Sequence, residues 1–206
     1  MDIGCGNGPF IKSLLASEID AAFVGFDIST KMLTTAKKTI DSQRVEWVAA
    51  DGFKMPLKSE AKFDLIHIDS VLHHIVAKTK GKSFVLASLF CKQLVDQLSE
   101  DGRLVVEEVY YVSHLLPKFT SSLIFYGLKL LNVLNIDASK IINELLPGLE
   151  VNFLSDKEIE KLLGKYGKVC LVKKTSWQRL KLYRFLLLKD LGHISYVVTV
   201  RKHTNK

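Results

Sequence analysis

In "MDIGCGNGPF", three glycines at alternate positions (Gly4, Gly6 and Gly8) separate a short apolar run from a helical pattern. A turn of that composition lets backbone N–H groups approach a ligand closely, and the helix N-terminus beyond it favours an anionic group. Three aspartates close apolar runs further on: Asp27 ends "AAFVGFD", Asp51 ends "RVEWVAAD" and Asp69 ends "KFDLIHID". An ionised carboxylate only accepts, so each could take hydrogen bonds from the hydroxyl or amino groups of a ligand. Ser70, His73 and His74 follow Asp69. A histidine titrates near neutral pH and can take a proton from a reacting group. His67 falls inside the apolar run and reads as core.

These residues need elements to hold them on one edge. "FIKSLLA" carries helical periodicity, with Pro9 in the first turn where its missing N–H leaves no gap. "AAFVGFD", "RVEWVAAD", "KFDLIHID" and "RLVVEE" read as strands. Between them lie a helix "TKMLTTAKKTI" capped by Ser29 and a helix from about Lys82 to Leu98, stopped by "SEDG". Strands alternating with helices predict a doubly wound, mostly parallel α/β sheet with right-handed crossovers. The glycine turn and the three aspartates then share the carboxyl edge, where open α/β sheets bind ligands. His114–Leu149 reads as two apolar helical segments broken by "NIDAS" and "LPG". "LSDKEIEKLLGKYG" is an amphipathic helix with a capping box from Ser155 and Glu158. "KVCLVKK" and "ISYVVTVRK" read as two last strands. The whole of 1–206 reads as one domain: a cofactor-binding half (1–113), a helical insertion or lid (114–150), and a C-terminal helix and strand pair (151–206). Only Met1, Asp2 and Ile3 precede the glycine turn. The first strand is therefore expected to be a stub, with the pocket open on the side a longer segment would cover.

Two nucleotide motifs fail here. A G-x-G-x-x-G fingerprint needs glycine where Pro9 stands, and the "GKS" at Gly81–Ser83 lacks a P-loop glycine at Val76. The D-x-G-x-G-x-G spacing instead resembles the first motif of the class I S-adenosylmethionine-dependent methyltransferases of the type 11/12 kind. "VGFDIS", "AADGFKMPL", "FDLIHIDSVLHHI" and "LSEDGRLVVEE" are similar to their later motifs, in the same order. The resemblance implies a Rossmann-like sheet of seven strands with an antiparallel last strand, and S-adenosyl-L-methionine as cofactor. By the same resemblance Asp2 would hold the ammonium end, beside a turn of Gly4, Cys5, Gly6 and Gly8. Asp27 would accept both ribose hydroxyls, and Asp51 the adenine amino group. Ile28, Gly52 and Phe53 would line the ring, with Asp69 and Ser70 as cofactor wall. His73 or His74 would serve as base where the acceptor needs one; methyl transfer to a good nucleophile needs mainly alignment.

The resemblance implies a methyltransferase, with a small, apolar metabolite as the favoured acceptor because the segment "FTSSLIFYGLKLLNVL" after the fifth strand is apolar. Helices of that kind also make dimer contacts, so a homodimer is compatible. No Asn/Asp-Pro-Pro-Tyr motif follows the fourth strand, which disfavours amino-methylation of DNA bases. The net charge of +7 is uneven: from Asp156 onward stand 13 Lys/Arg against 4 Asp/Glu. A basic end, including "WQRLKLYRF", keeps an RNA (tRNA) methyltransferase open as an alternative. A non-catalytic partner subunit of the same fold is a second. Three scattered cysteines indicate neither a disulfide framework nor a metal site, and a reducing, cytoplasmic setting is expected. No signal peptide or bilayer-spanning run is read.

Overall fold

The structure is a computed structural model that describes residues 1–17, 19–58, 60–114, 116, 118–137, 148–177 and 188–200. One mixed sheet organises the chain. β1 (Asp2–Ile3), β2 (Phe23–Asp27), β3 (Val45–Ala49), β4 (Phe63–Asp69) and β5 (Leu98–Ser113) are parallel neighbours in the order β3-β2-β1-β4-β5. β8 (Leu188–Thr199) runs antiparallel against β5, and β7 (Lys168–Ser176) against β8. A two-residue β6 (Leu154–Ser155) pairs with the end of β5 outside that seven-strand path.

The predicted stub is observed as such: β1 is two residues long, yet it bonds to β2 on one side and β4 on the other. Its alternation sets the site. Ile3 faces the main core with Phe26, Ile68 and Phe90, whereas Asp2 faces the opposite layer beside His67. Two strands differ from their sequence reading. β3 ends at Ala49, so Asp51 lies in the turn beyond it. β5 starts already at Leu98, takes in "SEDG", and runs on to Ser113 because β8 offers a ladder from Arg103 onward.

The helices α1 (Pro9–Ala16), α2 (Thr30–Thr39) and α3 (Lys80–Asp96) fall where the periodicity puts them, apart from a two-residue shift of α3. Ser29 caps α2 by accepting from the Met32 N–H, and Thr79 caps α3 from Lys82. A 3-10 turn, Leu72–His74, links β4 towards α3. After β5 comes α4 (Phe119–Val133); the second apolar segment, within 138–147, and most of "WQRLKLYRF" lie outside the described residues.

α5 (Asp156–Leu163) carries the predicted capping box, with Ser155 accepting from Glu158 N–H and Glu158 accepting from Ser155 N–H. Ser155→Ala removes the acceptor for the N3 amide and lowers stability by about 1 kcal/mol. A urea titration reads this as a lower midpoint at unchanged slope.

Candidate functional site

The glycine turn is built from left-handed backbone: Gly4, Gly6 and Gly8 have φ of 71°, 55° and 80°. A side chain at Gly4 would strike Val71 at 2.6 Å, and one at Gly8 would strike Trp47 at 2.5 Å. The turn needs glycine there for both conformation and space. It is tied to the second strand: Gly4 and Cys5 N–H donate to the Phe26 carbonyl at 2.8 and 3.0 Å. Gly6 N–H donates to Asp27 Oδ2 at 2.8 Å, while Asp27 Oδ1 accepts from Ser29 N–H at 2.7 Å. One carboxylate thus joins the glycine turn to the start of α2. Each of its oxygens keeps a lone pair for a further donor.

A cleft of about 530 Å³ opens beside this turn on the carboxyl edge. Its walls include Gly4, Asp27, Ile28, Asp51, Gly52, Phe53, Asp69, Ser70 and His74 of the expected residues, with Ile3, Val71 and Phe90 behind them. Ile28 is 77% exposed and Phe53 39%, two large apolar side chains facing the opening. Asp51 Oδ1 accepts from Phe53 N–H at 2.9 Å, which fixes that loop. Ser70 sits at φ 57° and its hydroxyl donates to Asp69 Oδ1.

Five expected residues are outside the cleft lining. Asp2 is 3% exposed and accepts from His67 Nδ1 at 2.8 Å. The period-two alternation of β1 turns it away from the wall that Ile3 joins. Cys5 is buried, and burial beside Asp2 and Asp27 pushes its thiol up to about 12, so it is no thiolate. Gly6 and Gly8 shape the turn from beneath. His73 points inward, its Nδ1 2.6 Å from Glu108 Oε1.

Glu108 is the residue that sequence reasoning missed. It is 1% exposed, and its carboxylate accepts from Leu72 N–H, His73 N–H, His73 Nδ1–H and Val109 N–H. This fixes the 3-10 turn and leaves His74 facing the cleft. The signal was legible: Glu108 is in phase with the buried Leu104, Val106 and Tyr110, and a buried carboxylate needs partners. The His74 ring lies tilted against that of His73, centroids 4.1 Å apart; partial burial, then the neighbouring His73, lowers its pKa below the usual 6.5. It is therefore a neutral base at pH 7.

Two further groups stand on elements next to those of the cleft. His193 of β8 places Nε2 3.0 Å from Asp69 Oδ1 and Nδ1 3.9 Å from Glu107 Oε2. The three groups stand close enough to hold a cation, and their mutual pairing accounts for the cluster without one. Lys80, at the start of α3, donates to Ser121 of α4, to Asn152 Oδ1 and to the Phe153 carbonyl. Burial brings its pKa down to about 8. Asn152 N–H in turn donates to the His73 carbonyl, so the segment after β5 is anchored to the turn that carries His74.

A parallel sheet with an antiparallel strand beyond β5, and a glycine turn facing strand-end aspartates, defines a Rossmann-like methyltransferase domain of class I. The family of the methyltransferase domain matches residues 1–173, and the chain belongs to it. Its members of this class take their methyl group from S-adenosyl-L-methionine. The chain is 41% identical over 75 residues to a malonyl-[acyl-carrier protein] O-methyltransferase of Legionella pneumophila, a match covering 35% of this chain and 26% of that one. It is 30% identical over 139 residues to a polyamine aminopropyltransferase of Thermoanaerobacter, covering 68% and 42%. Among solved structures, the arsenic(III) S-adenosylmethionine methyltransferase of Chlamydomonas reinhardtii superposes with a TM-score of 0.65 at 14% identity, over 100% of this chain and 64% of that one. The chain thus spans between a quarter and a half of the length of these curated relatives. No helix among the described residues is long and apolar enough to cross a membrane.

Proposed function

We propose that the chain transfers a methyl group from S-adenosyl-L-methionine to an oxygen or acidic carbon of a small acceptor, with His74 as the base. The observation that carries this reading is the cleft lining. It combines the glycine turn, the carboxylates of Asp27, Asp51 and Asp69 at or just beyond the strand ends, and a neutral imidazole, with no lysine or arginine among the described residues that line it. A wall of carboxylates without a cation repels phosphate, which favours a small uncharged or cationic acceptor over RNA.

The residues fit the cofactor. Gly4 presents backbone with no side chain to the cleft, Asp27 has free lone pairs on both oxygens, and Ile28 and Phe53 offer apolar faces to a ring. Asp27 would hold the ribose hydroxyls and Asp51 the adenine amino group, with Gly52 giving the ring close access. Gly4 and Gly6 would bring backbone to the methionyl end. Asp69 and Ser70 would close the wall. When bound, the cofactor supplies an electrophilic methyl on a sulfonium. His74 takes the acceptor's proton as the acceptor atom gains the methyl. His73 acts through Glu108, positioning the turn.

Calorimetric titration with S-adenosyl-L-methionine and its demethylated product tests the cofactor half; no heat at millimolar ligand rejects it. A turnover screen against hydroxylated, carbon-acid, carboxylated and amine metabolites, with tRNA alongside, tests the acceptor half, and turnover confined to tRNA, to carboxylates or to amine nitrogens rejects it. His74→Gln should lower kcat by about 10²-fold or more, with cofactor affinity unchanged. The sign of the pH dependence follows from the lowered pKa. Wild-type activity persists as pH falls to 6.5 and drops only below it, where the imidazole protonates. The variant should lose that acid limb; an unaltered kcat and profile would remove His74 from the chemistry.

A further inference from the structure

We propose that the outer face of α4 is the contact through which two copies of this chain pair. The helix is apolar on two faces, with Phe125 and Leu128 buried inward and a second set of large apolar side chains turned outward. Its buried positions include the hydroxyl residues Thr120 and Ser121, which bond to Ser113 and Lys80. Its exposed positions are Phe119, Leu123, Tyr126, Leu130 and Val133, all large and apolar, at 46% to 77% exposure. Leu116 before the helix, and Leu134 and Ile136 after it, are exposed as well.

Three features choose a second copy as the occupant. The spacing of the five residues is 4-3-4-3, the seam that packs helix against helix, and a seam of this kind is self-complementary about a two-fold axis. Eight large apolar side chains at 43% to 77% exposure form the kind of apolar centre that a standard interface of ~800 Å² per partner is built around. The seam also carries no charge to oppose its own copy. Lys129, the one charged residue of α4, turns aside to Glu150 at 2.9 Å. A lipid surface would call for cations along both flanks of the helix, and among the described residues only Lys118 stands at one end.

Sedimentation velocity of the full chain at micromolar concentration should show a species of twice the chain mass. Leu123→Glu with Leu130→Glu should weaken pairing at least ~30-fold per position, while far-UV circular dichroism and the melting transition hold, since both side chains are exposed. Independently, in a Cys170→Ser background, Tyr126→Cys should give a disulfide-linked dimer on mild oxidation. Tyr126 is the middle of the seam and meets its own copy in either two-fold arrangement. Lys38→Cys on α2 should not crosslink. A wild-type monomer, a dimer undiminished by the double substitution, or equal crosslinking at position 38 overturns the proposal. So does a monomer that floats with phosphatidylcholine vesicles only while Leu123 and Leu130 are intact, which assigns the face to lipid.

Discussion

Asp27→Ala should weaken binding of S-adenosyl-L-methionine and its demethylated product by about 10²- to 10³-fold. Each hydrogen bond to a carboxylate contributes about 1.5–3 kcal/mol, and the proposed role gives Asp27 two from the ribose. A loss of about 3–4 kcal/mol corresponds to that range. The structure adds a second effect. The same carboxylate accepts from Gly6 N–H and Ser29 N–H, so alanine also releases the glycine turn from the start of α2. Asp27→Asn retains one acceptor oxygen and should fall between wild type and alanine. Calorimetric titration measures the affinities, and a thermal melt separates the loss of the ligand from loss of fold. Wild-type affinity in the alanine variant would remove Asp27 from the cofactor site.

Glu108→Ala should be the most destabilising single change near the site, at about 3–5 kcal/mol. Four donors lose their acceptor at once, among them the buried amides of Leu72 and His73. For a chain of this size that corresponds to a fall in Tm of about 10 °C. Glu108→Gln preserves volume and one acceptor oxygen, and sets an NH₂ against N–H groups, so it should remain folded and lose part of the stability. Its informative readout is the turnover split. If Glu108 positions the His74 turn, kcat falls while cofactor affinity stays, because Asp27 and the glycine turn are untouched. A glutamine variant with full stability and full kcat would show that the buried carboxylate has no part in holding that turn.

These two carboxylates divide the site between them. Asp27 ties the glycine turn to the second strand, and Glu108 ties the turn after the fourth strand to the fifth. Lys80 extends the second anchor outward, joining α3 to α4 and to Asn152 and Phe153. The segment after β5 is thereby fixed to the same turn as His74, which gives it a mechanical link to the proposed base.

What the sequence determined is what depends on short range. The left-handed glycine turn, the strands ending at Asp27 and Asp69, the caps at Ser29 and Ser155, and the helix starting at Pro9 follow from neighbours a few residues apart, and each was legible. The tertiary structure decided everything that depends on which strand lies beside which. Asp2 has the right type and spacing for a ligand, yet pairing of β1 with β4 sets it against His67, 65 residues away, on the other face of the sheet. β5 reaches Ser113 because β8, far along the chain, supplies the ladder. Glu108 meets the His73 turn across 35 residues, and His193 meets Asp69 across 124. Residue type and periodicity specify what a side chain can do and which way a strand alternates. The partner that a buried carboxylate or imidazole must find is fixed only when distant strands close on one another, because burial creates the need for it and the register determines who is there.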